Sequence, residues 1–230
     1  MTWSDRQAFA IRIAAWTQTY DSVDSTSQKQ RATEDATREC WQIVEGDLLR
    51  SQDDIIMHQT NCTSTKAYGL AKDLFDKFPQ ANTYACRKEA STPGTVTVHQ
   101  GHREDQLIVN CNAQFHPGKH RQSGHDTEGK RQEMMKQCLR AVASIINKRQ
   151  GPVTVAIPWR MGCGLARGNW SQYKHILTTW ESNTTTADGT HIMLNIYKQV
   201  KASGTTRDVS DQRAGEQHNV TFMQTDTEDS

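Results

Sequence analysis

Residues 153–170, V-T-V-A-I-P-W-R-M-G-C-G-L-A-R-G-N-W, constrain the fold more than any other stretch of this chain. The β-branched apolar run reads as a buried strand. It breaks at Pro158 and passes into a loop with glycines at 162, 164 and 168, then into a polar-aromatic stretch that can open a helix. Strand, glycine loop and helix in that order form a βα unit, and such units assemble around a sheet covered by helices. Backbone N–H groups in such a loop can converge on an anion, and the following helix N-terminus adds favourable partial charge. The loop lacks G-K-[ST], so it is not a Walker A loop. Its G-x-G-x-x-x-G spacing and late position also separate it from the dinucleotide fingerprint. Taken alone, it reads equally well as a tight strand-to-helix turn.

The rest of the chain repeats the alternation. Trp41–Glu45, Asp54–Thr60, Thr95–His99, Gln106–Cys111, Val153–Ile157 and His191–Tyr197 read as strands. Tyr68–Phe78 reads as a helix, with Leu70, Leu74, Phe75 and Phe78 on one face and Pro79 ending it. A second short helix is expected at Gln80–Glu89. Glu128–Lys148 carries apolar residues at helical spacing until Gly151-Pro152, and Gln172–Trp180 is a further helix. This pattern predicts an α/β fold, a sandwich with helices on both sheet faces and a ligand site at the carboxyl ends of the strands. Residues 1–39 read as an N-terminal extension: a short amphipathic helix on Phe9, Ile13 and Trp16, then a polar linker. Residues 201–230 read as a disordered polar tail, leaving 40–200 as the domain.

Composition narrows the function classes. The 27 Lys and Arg balance 26 Asp and Glu, so the basic excess of a general nucleic-acid binder is missing. No apolar run approaches the ~20 residues of a membrane span, and Phe9–Trp16, interrupted by Arg12, makes a poor signal peptide. The six cysteines are scattered without C-x-x-C, which suits free thiols in an intracellular compartment, cytoplasmic or nuclear. On this view the N-x-[ST] triplets, such as that at Asn61, are chance. His116, His120 and His125 share one segment with Pro117, Gly118 and Gly124. Their spacing matches no zinc ligand pattern, so the segment reads as a loop at the rim of a cleft and no metal is expected.

Two segments upstream bear on the glycine loop. In Ile43–Leu49 a strand ends in Gly46-Asp47, where a carboxylate can accept from an exocyclic amine such as adenine N6; Asp47 can equally be a turn or cap residue. In Ile55–Cys62 a strand ends in His58-Gln59-Thr60-Asn61, followed by Tyr68-Gly69-Leu70-Ala71. There Asn61 can bond ribose hydroxyls and Gly69 allows close approach to ribose or phosphate, while His58 taken alone reads as a structural histidine.

Together these segments resemble a macrodomain over about residues 41–198. The resemblance rests on G-D-L at 46–48, H-Q-T-N-C at 58–62, G-L-A at 69–71, Pro79, I-V-N at 108–110 with Gln114, I-P at 157–158, and G-C-G-L at 162–165 followed by Trp170. It is most similar to the subgroup of ADP-ribose-1″-phosphate phosphatases and terminal ADP-ribose glycohydrolases. The resemblance implies a three-layer α/β/α sandwich with a mixed central sheet that binds ADP-ribose. By it, Asp47 receives the adenine amine with help from the Leu48 backbone, and Tyr197 lies near the adenine. Asn61, Gly69 and Leu70 line the distal ribose side, and the backbone of Gly162, Cys163, Gly164 and Leu165 cradles the diphosphate. Trp170 packs beneath that loop, and Cys163, despite its place near a helix N-terminus, is a packing residue.

The resemblance further implies that His58 acts on a terminal phosphate as acid, base or nucleophile. The expected activity is therefore a phosphatase on ADP-ribose-1″-phosphate, without a cofactor. The glycohydrolase members use a lysine on the strand after the first helices and an aspartate after Gly-Cys-Gly-Leu. Here Gln100 lies near the first place and Ala166 occupies the second, which argues against that mechanism. Members that strip ADP-ribose from proteins carry a longer glycine run where this chain has Lys66-Ala67-Tyr68-Gly69. The alternatives are a non-catalytic reader of ADP-ribose or ADP-ribosylated proteins and an ADP-ribosyl hydrolase.

Overall fold

The computed structural model describes residues 40–200. The helix expected around Phe9–Trp16 and the tail expected at 201–230 lie outside the described residues. Six strands form one sheet: β1 (Trp41–Glu45), β2 (Ile55–Asn61), β3 (Val96–Gln100), β4 (Leu107–Gln114), β5 (Thr154–Pro158) and β6 (Met193–Lys198). Their spatial order is β1-β6-β5-β2-β4-β3. All neighbours are parallel except β3, which pairs antiparallel with β4 at one edge. The sheet is therefore mixed, as expected.

Three helices flank it: α1 (Leu70–Lys77), α2 (Glu128–Ile146) and α3 (Trp170–Ser182). Because side chains alternate across a strand, β2 feeds both layers. Ile55 and Met57 join a large core with Met135, Leu139 and Val142 of α2 and Tyr173 and Leu177 of α3. Ile56 joins a smaller core with Leu74 and Phe75 of α1, Phe78 and Leu48. Among the described residues, no helix is long and apolar enough to cross a membrane.

Most elements shift from the expected bounds by one to three residues, each for a local reason. α1 begins at Leu70 rather than Tyr68 because Gly69 holds φ 56°, ψ −140°, a conformation closed to residues with a Cβ. α3 begins at Trp170 because Asn169 caps it, accepting from the N–H groups of Ser171 and Gln172. The helix expected at Gln80–Glu89 does not form. A 3-10 turn at Pro79–Ala81 is followed by turns, because Asn82 Oδ1 accepts from the N–H groups of Tyr84 and Ala85 and holds the chain out of a helix.

Candidate functional site

β2 and β5 are neighbours whose following connections run to opposite sides of the sheet. β2 leads through α1 toward β3 and β4, and β5 leads through α3 to β6. This is a topological switch point, where loops splay apart and leave a crevice. The residues singled out in sequence gather at the strand ends that border it: Gly46-Asp47 after β1, Asn61 in β2, the glycine loop after β5, and Tyr197 in β6.

Asp47 initiates a 3-10 turn at Leu48–Arg50. One carboxylate oxygen accepts from the Leu49 N–H at 2.9 Å, while the other faces Arg50 Nε at 3.6 Å. Its side chain is 44% exposed, so that second oxygen remains open to a ligand donor. Asp47 is thus a cap residue and an available acceptor at once. The Leu48 side chain is buried in the smaller core, and its N–H carries no hydrogen bond to the described residues.

The Tyr197 ring lies against Gly46, 3.8 Å from the place a Cβ there would take. Its hydroxyl donates to Asp53 Oδ2 at 2.8 Å. Asp53 is buried and also accepts from Ser51 Oγ and Asn195 Nδ2. Burial and this carboxylate push the Tyr197 hydroxyl up to about 12, so it stays a neutral donor. The Asp53 hub was not foreseen; Asp53 and Asn195 lie 142 residues apart, and no local pattern links them.

The glycine loop is built on the Tyr173 ring of α3. A Cβ on Gly162 would lie 2.7 Å from Tyr173 Cε1 and 2.6 Å from Gln59 Oε1, and one on Gly168 would lie 2.8 Å from Tyr173 Cε2. Gly164 has open space around it. Internal bonds use the N–H groups of Cys163, Arg167 and Gly168. Those of Gly162, Gly164, Leu165 and Ala166 carry no hydrogen bond to the described residues. Arg160 and Arg167 flank this run, both exposed and both at φ 58°, the left-handed conformation that L-residues seldom adopt outside functional loops. At the α3 N-terminus, Asn169 takes up the N–H groups of Ser171 and Gln172. Burial raises the Cys163 thiol to about 11, in keeping with a packing role. Trp170 lies tilted against Trp159, with ring centroids 5.1 Å apart, and packs against the larger core.

The opposing wall is the loop between β2 and α1. The Asn61 side chain is committed to shaping it. Its Oδ1 accepts from the N–H groups of Thr63 and Ser64, and its Nδ2 donates to Tyr84 Oη at 2.9 Å. Arg87 clamps the same loop through the Ser64 carbonyl at 2.6 Å while stacking on Tyr84. Asn61 therefore positions the wall rather than presenting a free amide. Gly69 faces Leu165 across the crevice, with Leu165 Cδ1 3.4 Å from where a Cβ would sit. Leu165 and Tyr68 are 66% and 67% exposed, so the two walls meet through apolar groups open to solvent. Leu70 is half-buried at the start of α1. On the outer flank of this wall, a cavity of about 330 Å³ opens between Lys66, Tyr68 and Lys72. Its lining includes none of the strand-end residues.

His58 stands apart from all of these. It is the fourth of seven residues in β2 and is 1% exposed, with Phe75 edge-on at 5.6 Å. Its Nε2 lies 2.7 Å from Asn110 Oδ1. Asn110 spends its Nδ2 on the Ala81 carbonyl and Thr97 Oγ1, which leaves Oδ1 to accept, so His58 carries its proton on Nε2. Burial lowers the imidazole to about 4 despite that hydrogen bond. The strand-end position expected for a catalytic histidine is not the one His58 holds. The ring is instead buried within the strand, against Phe75 of α1.

The loop after β4 closes one end of the site. Asp126 and Arg131, 1% and 3% exposed, form a buried ion pair with two hydrogen bonds of 2.9 and 2.6 Å. Burial works against the Asp126 carboxylate, but Arg131 and two backbone N–H groups outweigh it and hold its pKa below the usual value. This pair was missed in sequence, where only the i, i+5 placement of Asp and Arg at a helix start hints at it. His116 and His125 meet Phe115 edge to face. Among the described residues, no group of three His, Cys, Asp or Glu side chains could hold a metal.

A six-stranded mixed sheet between helical layers, with a glycine loop at its switch point, defines an α/β/α sandwich with a strand-end crevice. The fold is that of a macrodomain. The structure is similar to the macrodomain of Mycobacterium tuberculosis DarG, with a TM-score of 0.50 and 19% identity over 68% of this chain and 97% of that one. It is similar at the same TM-score of 0.50 to Thermosipho africanus DarTG in complex with ADP-ribose, with 18% identity over 70% of this chain. An alphavirus P23pro-zbd structure matches at 0.49 and 16% identity over 69% of this chain. The matched regions span 42% of the DarTG chain and 21% of the alphavirus chain. No protein-family model matches the chain, and no curated protein matches its sequence.

Proposed function

We propose that this chain binds ADP-ribose in the strand-end crevice and acts as a reader of that group. The observation that carries the proposal is the run of unused N–H groups at Gly162, Gly164, Leu165 and Ala166. Free donors grouped in one loop at a switch point suit the oxygens of a diphosphate. At the far end, Asp47 offers an open carboxylate oxygen and Leu48 a free N–H, an acceptor and a donor that suit the adenine edge. Arg160 and Arg167 add positive charge beside the loop. The Thermosipho DarTG structure, solved with ADP-ribose, supports the same ligand.

The reader is favoured over the expected 1″-phosphate phosphatase by the burial of His58 and its bond to Asn110. The positions used by the lysine–aspartate glycohydrolases hold Gln100 and Ala166, so no acid–base pair is assigned to that reaction either.

Calorimetric titration with ADP-ribose, followed by a phosphate-release assay on ADP-ribose-1″-phosphate, tests the reading. Saturable binding that weakens in Asp47→Ala, with no phosphate release, is expected. Silence at millimolar ADP-ribose would refute the binding. Phosphate release would make the chain an enzyme, and its loss in His58→Ala would restore the histidine to the chemistry.

A further inference from the structure

The glycine loop meets one polar network at both ends, by contact at Gly162 and by a hydrogen bond at Ala166. At the first end, Gln59 Oε1 presses against Gly162 and has no hydrogen-bond donor. Gln59 Nε2 donates to Gln114 Oε1 at 2.6 Å, and Gln114 Nε2 donates to the His116 carbonyl at 2.9 Å. That same carbonyl accepts from Arg131 Nη2 at 3.1 Å. Arg131 Nη1 then reaches the Ala166 carbonyl at 3.4 Å, back in the glycine loop.

The hydrogen bonds run from Gln59 to Ala166 over the C-terminal end of β2, and Gln59 meets Gly162 by contact alone. Two side chains anchor the network. Asp126 fixes the guanidinium and accepts from the N–H groups of Phe115 and His116, and Arg131 also holds the Gly118 and Lys119 carbonyls. Sheet order explains the reach: β4 and β5 lie on either side of β2, so the loops that follow them can meet above it.

We infer that Arg131, fixed by Asp126, is a positioning residue for the anion cradle. The inference rests on the ADP-ribose reading for the identity of the anion. Holding the Ala166 carbonyl fixes the peptide whose Arg167 N–H closes back on the Gly164 carbonyl, and so the turn that contains Leu165 and Ala166, while Gln59 limits the approach of Gly162. Between those fixed ends the N–H groups of Gly164, Leu165 and Ala166 are left without protein acceptors. A preset array binds an anion better than one that must first be ordered. Arg131 itself touches no ligand in this scheme. Its planar fork serves carbonyls of two loops at once, which a lysine ammonium cannot reproduce.

The test compares wild type with Arg131→Lys and with the paired variant Arg131→Met/Asp126→Leu. The paired variant removes both charges together, so neither is left buried and unpaired. Titrations use ADP-ribose and adenosine, which shares the adenine contacts but lacks phosphate. The expected result is a loss of about tenfold or more in ADP-ribose affinity, the scale on which groups behind a binding site act, with adenosine affinity unchanged. Equal losses for both ligands would show a general structural role and overturn the inference, as would unchanged ADP-ribose binding. Amide NMR of the ligand-free proteins gives a readout that does not depend on ADP-ribose. Arg131→Lys should shift or broaden the Gly162–Ala166 amides and leave Leu48 in place. Failure of wild type to bind ADP-ribose refutes the functional reading alone. Unperturbed loop amides in Arg131→Lys refute the positioning role alone.

Discussion

Burial of His58 predicts a specific acid lability. Its imidazole falls from the ordinary value of 6.5 to about 4 on folding, chiefly because the interior desolvates the charged form. Above pH 6.5 the ring is neutral in both states and costs nothing. Below it, the unfolded chain takes up a proton that the folded protein refuses until the pH nears 4. Stability is therefore full above 6.5 and drains away as the pH falls between those limits. At about 1.4 kcal/mol per pH interval, the loss reaches roughly 3 kcal/mol. Urea unfolding of wild type and His58→Phe at pH 7.5, 6, 5 and 4 isolates this contribution. The phenylalanine variant starts less stable, because Asn110 Oδ1 loses its donor. Its stability should then fall by about 3 kcal/mol less than that of wild type over the same range; Asp126, whose carboxyl is held below its ordinary 3.8, gives up its contribution only at lower pH. Parallel curves for the two proteins would refute the reasoning. So would an imidazole titration near 6.5 followed by NMR, since it would put His58 in contact with water and return it to the list of groups able to meet a substrate.

Two other outcomes follow from the packing. Gly162→Ala puts a Cβ 2.6 Å from Gln59 Oε1 at φ 75°, and should cost about 1–3 kcal/mol in thermal unfolding and weaken ADP-ribose binding; Gly164→Ala, with nothing within 4 Å, should leave stability unchanged, and equal effects would contradict the picture of the loop. Asp53→Ala strips the shared acceptor from Ser51, Asn195 and Tyr197 and should destabilise by roughly 3 kcal/mol in urea, with a loss under about 0.5 kcal/mol counting against the hub.

The layered architecture was legible because hydrophobic period and glycine or proline breaks are local signals. Trp41–Glu45 was bounded correctly, and the strand, glycine loop and helix around 153–182 appeared in order. The misplacement of His58 is instructive, since the information was present. His58 has the same parity as Ile56, so it shares that residue's face. The polar residues after Met57 suggested an exposed strand end, whereas β2 is central and covered on both sides as far as Asn61. Asn61 was identified at the crevice, but its commitment to Thr63, Ser64 and Tyr84 depends on a tyrosine 23 residues away. The Asp53 hub and the Asp126–Arg131 clamp were invisible for the same reason: a buried charge is explained by neighbours in space. Gln80–Glu89 shows the reverse error, in which helical propensity lost to one asparagine side chain.

The pairing of β1 with β6 bears on how this protein is made. Among the described residues β1 is an edge strand, and its neighbour in the sheet is the last of their strands. The Gln42–Asn195 bond between them spans 153 residues. During synthesis β1 must wait for β6 while the other described elements emerge, a delay of roughly ten seconds or more at usual ribosomal rates. Contacts of such long sequence separation also slow folding from the denatured state. Throughout that interval Ile43 and the open hydrogen-bonding edge of β1 are available to other chains. Truncation within β6 should therefore leave a nascent protein whose yield depends on chaperones, even though the strands that form the crevice walls at β2 and β5 are intact.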